Sequence, residues 1–209
     1  MTLSLLASWP STASAAFVRN YASWTVTGTA GQFGGSLDLG VLGLPDATIS
    51  SDARVFTTAR SATLTGATPF GAAFGTSSGR TYASIGATFG NTGPSSTTFT
   101  FDAATPTSGW GFALGDIDAE HVRVTATGAD GEAVPASALG FAGVFNSTGG
   151  GTDLPDWDPS SGLVAGNPCP APPAPTNCDT DGATAWFRPE VPLRTLTLHF
   201  TVIDGAPRF

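Results

Sequence analysis

The sequence predicts an all-β protein: an antiparallel β-sandwich of jelly-roll type. Three observations predict it. Between Ser96 and Gly131, short stretches rich in Thr, Phe and Val alternate apolar with small polar residues, the period-2 pattern of half-buried strands. Pro, Gly and Asp-Gly turns break these stretches at short intervals. No segment sustains helical apolar spacing beyond a turn or two, and no internal repeat is found.

Taken in order, residues 1–22 read as a signal-like or disordered tail and residues 23–209 as one sandwich domain. In the tail, Leu3, Leu5, Leu6 and Ala7 form a short apolar run, Pro10 breaks it, and Ala13 to Ala16 supply small residues for cleavage; no basic residue precedes the run. Trp24-Thr-Val-Thr-Gly28 reads as a first strand. Residues 36–42 follow, with Leu37, Leu39 and Val41 on one face. Residues 52–57 and 61–65 are short candidate strands, and the Gly/Ser-rich stretch 70–80 is expected to be a loop. Residues 81–89 and 96–101 are expected to form a hairpin across Gly90-Asn-Thr-Gly-Pro94. Residues 110–115 and 121–127 read as a second hairpin-like pair, and 138–146 as a further apolar run. Residues 147–182, dense in Gly, Pro and Asp, are expected to be a long irregular loop. Residues 184–187 and 193–203 close the pattern. The chain stops at Phe209 without a turn or polar tail, as expected of a protein that continues.

Composition narrows the class. In 209 residues, 41% apolar content with 14 Phe and 5 Trp supports a core, whereas charged residues make up 11%. Gly (27) and Pro (16) supply turns, a balance that suits an exported all-β chain. All eight basic residues are arginines, so lysine Schiff-base chemistry and lysine isopeptide cross-links are excluded. A net charge of −8 without a basic cluster repels a phosphate backbone, which argues against a nucleic-acid partner. No stretch approaches the ~20 apolar residues of a transmembrane helix. Cys169 and Cys178 bracket a segment holding four prolines, and a disulfide pinning this loop is expected in an exported protein.

Several residues are candidates for binding. Asp116, Asp118 and Glu120 alternate along an extended segment, so they share a face or converge at a strand end. Two readings stand side by side: Asp116 and Asp118 cap the turn through backbone amides, or they hold a Ca²⁺ ion. Asn177, Asp179, Asp181 and Gly182 match the opening of an EF-hand loop, but Arg188 stands where the bidentate Glu belongs. Trp157, between Asp156 and Asp158, is the candidate for stacking on a sugar ring; Trp110 and Trp186 read as core, where an indole buries about 200 Å². His121 and His199 both lie in strand patterns and outside any nucleophile motif. No two carboxylates are placed across a cleft by the sequence, so a glycan hydrolase is the weakest of the alternatives.

The segment GFALGDIDAEHVRVTATGADG, with Asp181-Gly-Ala-Thr-Ala-Trp-Phe-Arg-Pro189 and Leu193-Arg-Thr-Leu-Thr-Leu198, resembles the N-terminal jelly-roll-like β-sandwich of actinobacterial exported and cell-surface proteins. The resemblance covers roughly residues 95–205. It implies an extracellular or cell-wall-associated protein and no catalytic role. The expected function is therefore a non-catalytic surface, adhesion or structural module with a glycan or a surface protein as partner. The alternative is a carbohydrate-binding module with a structural Ca²⁺.

Overall fold

The structure, a computed structural model, describes residues 21–40, 43–61, 64–151, 153–167, 181–204 and 207–209. In chain order its elements are β1 (Ser23–Thr29), β2 (Gln32–Asp38), β3 (Ala47–Ser51), β4 (Val55–Ser61), the short helix α1 (Pro69–Phe74), β5 (Arg80–Gly86), β6 (Ser95–Phe101), β7 (Phe112–Gly115) and β8 (Glu120–Gly128). A 3₁₀ turn (Ala136–Ala138) leads to β9 (Phe141–Asn146), β10 (Asp156–Asp158), β11 (Leu163–Ala165), β12 (Ala183–Phe187) and β13 (Leu193–Val202).

One large antiparallel sheet runs in the order β1-β2-β3-β6-β13-β8-β11-β10. Its centre follows from strict alternation. Phe99, Phe101, Val122, Val124, Leu196, Leu198 and Phe200 face inward and are buried, each side chain contributing roughly 1.5–3 kcal/mol of apolar transfer. The opposite face carries hydroxyls in register: Thr98 bonds Thr197 at 3.0 Å and Thr127 bonds Thr195 at 2.8 Å. On that face His199 bridges Ser96 and Thr125, each at 3.0 Å.

A second layer covers the inner face and is built from two separate pieces, the sheet β7-β12-β9 and the pair β4-β5. Leu114, Ala185 and Phe187 from the first piece and Phe56 and Ile85 from the second share the main core with the large sheet. The antiparallel all-β expectation is met. Jelly-roll connectivity is finer than this division into eight, three and two strands establishes.

Both expected hairpins are corrected. β5 pairs with β4, whereas β6 pairs with β3 and β13, so the turn after residue 89 carries the chain between layers. Likewise β7 pairs with β12 while β8 pairs with β13 and β11. The crossing happens at Asp116, whose φ of 65° is a left-handed value that redirects the backbone. Alternation reports which residues are half-buried but not which strand lies alongside, so it does not separate chain neighbours from sheet partners. Residues 70–80 are not wholly loop: Thr68 Oγ1 accepts from Gly71 N at 3.1 Å, and Pro69 opens α1. Within 147–182, the short hairpin β10–β11 extends the large sheet through β8.

Candidate functional site

Among the described residues the second layer does not close. Between β5 and β7 lies an apolar crevice of about 1090 Å³, floored by the large sheet at Leu37, Phe99, Phe101, Leu196 and Leu198. Thr81 to Ile85 and Gly109 to Asp116 line it as uninterrupted runs. A concavity lying over one face of a strand would touch alternate residues, because successive side chains point to opposite faces. Consecutive lining means that both strands present their edges to the space. Tyr21 and α1 roof one end, with the Tyr21 hydroxyl donating to Gly75 O at 2.6 Å. The approach of α1 to β7 is close: a Cβ on Gly111 would stand 2.8 Å from the Phe74 ring.

A polar node stands at the other end. Asp116 lines the crevice and its Oδ1 accepts from Gly182 N at 2.9 Å, tying the end of β7 to the start of β12. Asp118 is buried and its Oδ1 accepts from Ala119 N. Glu120, in phase with Val122 and Val124 on β8, points into the core and is fully buried. Among the described residues neither carboxylate oxygen of Glu120 has a hydrogen-bond partner. Burial pushes its pKa up to about 9, and the charges of Asp118 and Asp116 add to the shift. The nearby amides of Ala119 and Asp118 offset part of it without forming a hydrogen bond. The three acids therefore do converge at a strand end. Among the described residues, however, no three carboxylate, imidazole or thiolate groups are placed to hold a metal ion. Asp116 and Asp118 each accept from a backbone amide, as turn-capping carboxylates do.

The stacking candidate is used internally. Trp157 is half-buried, lies parallel to Phe141 at 5.3 Å, and meets Phe187 edge-on at 5.1 Å. Its expected exposed face is thus covered, because β10 folds back onto the second layer instead of trailing as loop. Asp156 is exposed; Asp158 accepts from Ser160 and Ser161, and these bonds hold its pKa down at about 2. Asp153 is buried beside them in sequence and not on the crevice. Cys169, Cys178, Asn177 and Asp179 lie outside the described residues, while Asp181 lines the crevice rim.

The histidines serve the sheet. His121 Nδ1 accepts from Gly166 N at 3.1 Å, and His199 is the bridge between Ser96 and Thr125. The sequence does not mark the crevice. Thr81, Ala83 and Ile85 read as an ordinary half-buried strand, and nothing in that pattern shows that one edge lacks a neighbour. For Glu120 the missed signal is its phase with Val122 and Val124, which points it inward.

Among the described residues no helix is long and apolar enough to cross a membrane. Comparison with known proteins finds no matching family model, no matching curated protein and no matching solved structure.

Proposed function

We propose that the chain is a non-catalytic binding module of an extracellular surface, one that holds a partner and does not transform it. The observation that carries this reading is the apolar crevice, whose described lining holds no histidine, cysteine or lysine and only two acids, Asp116 and Asp181. Concave sites lined by apolar groups with a few polar ones recognise by shape and desolvation. The hydrogen bonds of Asp116, Asp118, His121 and His199 further support it, since each is spent on holding backbone or a neighbouring strand. The extracellular setting rests on the low charge and on the resemblance of residues 95–205 to exported modules. A carbohydrate-binding reading has less support, because Trp157 stacks on Phe141.

Immobilised protein presented with arrays of extracellular proteins and glycans, and in parallel with chromogenic glycosides, esters and peptides, tests the reading. Saturable binding without turnover is the expected result. Turnover that disappears in Asp116→Asn or Asp181→Asn overturns it.

A further inference from the structure

We infer that the crevice is a strand-acceptor slot, which takes an extended peptide strand from a partner polypeptide and hydrogen-bonds it antiparallel to β5. The inference deepens the binding-module reading and rests on it.

The edge of β5 carries the argument. Ile85 N donates to Phe209 O at 2.8 Å and Phe209 N donates to Ile85 O at 2.9 Å, while Ala87 N donates to Pro207 O at 3.1 Å. Gly86 and Arg208 are antiparallel bridge partners. Residues 207–209 therefore already lie along this edge as the beginning of an added strand. Both backbone groups of Ile85 point away from β4, and the two-residue repeat of an antiparallel ladder turns those of Ala83 and Thr81 the same way. Among the described residues neither Ala83 nor Thr81 makes a backbone bond on that side. Their amides and carbonyls face the crevice.

The opposite wall is complementary. β7 is the last strand of its sheet, bonded to β12 on one side with its other edge turned to the same space. Among the described residues, the edge of β5 at Thr81 and Ala83 and the edge of β7 face each other unpaired over an apolar floor, a vacancy in a sheet, and unpaired edges are templates for pairing. A hydrocarbon ligand would cover Phe99, Phe101 and Leu198 but leave the backbone groups of Thr81 and Ala83 without partners. A peptide strand satisfies both. Its main chain bonds β5, and alternate side chains rest on the floor, the mode in which main-chain bonds give affinity and pockets for alternate residues give specificity. The occupant is thus apolar at alternate positions, extended, and free of Pro at the positions that bond β5.

The probe is a synthetic peptide of about nine residues alternating Thr and Val, capped with lysines for solubility. Its control carries Pro in place of every Val, since the floor-facing residues are the ones that bond β5, as Phe209 does opposite Ile85. Amide hydrogen exchange read residue by residue is expected to slow about tenfold at Thr81 and Ala83 with the first peptide and not with the second. The Ala83→Pro protein removes a donor that faces the slot and none that faces β4, so it is expected to keep its circular dichroism and lose the protection. The Pro-containing peptide provides the same control without altering the protein. Unchanged exchange at Thr81 and Ala83 under saturating peptide overturns the slot. So does an apolar dye or fatty acid that binds the crevice and is not displaced by the peptide, which assigns it to a small ligand. Array binding that persists in Ala83→Pro removes the slot and leaves the binding-module reading standing. Protection by the peptide with no array binding does the reverse.

Discussion

On the β12 side of the second layer, Phe187 is enclosed: it stacks on Phe112 at 4.7 Å and meets Phe141 and Trp157 edge-on at 5.6 and 5.1 Å. On the β5 side, Leu198 and Phe99 are no less apolar, yet they floor an open crevice. Residue type does not separate the two regions. β12 has a strand bonded along each edge, whereas β5 has β4 on one edge and residues 207–209 along part of the other. Packing density in a β-layer thus depends on completing the hydrogen-bonded row as well as on supplying apolar side chains.

The contrast is broken most directly by truncating each side. Phe187→Ala is expected to cost about 3–5 kcal/mol, measured by urea unfolding, because it empties a closed aromatic cluster. Leu198→Ala should fall at the low end of its class, about 2 kcal/mol, since part of its surroundings is already open. Equal losses for the two would mean that the crevice is closed in solution.

Glu120 gives the next largest effect. The folded carboxyl keeps its proton up to about pH 9, whereas the unfolded one releases it near its ordinary value of 4.5. Across that window the folded state binds the extra proton, so stability falls as pH rises, by at most about 1.4 kcal/mol per unit. Unfolding curves collected across that window should show this slope in the wild type and its loss in Glu120→Gln. A flat wild-type profile would show that the buried carboxyl has found a partner.

A smaller effect is expected at the turn between the layers. Asp116→Ala removes the acceptor for Gly182 N and leaves a β-carbon in a left-handed backbone, a loss of about 1 kcal/mol. Asp116→Asn, which tolerates that conformation and keeps an acceptor, should lose less. The melting temperature should be unaffected by EDTA, because amides already engage Asp116 and Asp118. A drop of several degrees with chelator would restore the Ca²⁺ reading. Least of all should depend on Cys169 and Cys178. Mass spectrometry of alkylated, unreduced exported protein is expected to find them bonded. Reduction should shift melting less than Asp116→Ala, since four intervening prolines already restrict the unfolded loop.

The strands whose alternation is strongest, β6, β8 and β13, were legible because burial on one face imposes the period. Partner choice was not. Residues 96–101 and 110–115 look alike in pattern, yet one lies in the large sheet and the other in the small. The decisive bend sits in one backbone angle at Asp116, which a sequence marks only by an Asp tolerant of it. β3 shows no clear period because Ala47-Thr-Ile-Ser-Ser51 holds one large apolar residue, and β10 and β11 are too short to show one. The crevice was invisible for a different reason. A missing neighbour is a property of the sheet, and no residue of β5 records it.

The outer face of the large sheet has a consequence for the medium in which the protein works. Its central cross-strand pairs, Thr98–Thr197, Thr127–Thr195 and Ser96–His199–Thr125, join hydroxyls and an imidazole in place of opposite charges. Ionic screening weakens exposed charge pairs, with a Debye length that falls from about 30 Å in dilute buffer to about 3 Å in molar salt. Hydroxyl pairs offer it little to act on. The register held by these pairs is consequently expected to change little with salt.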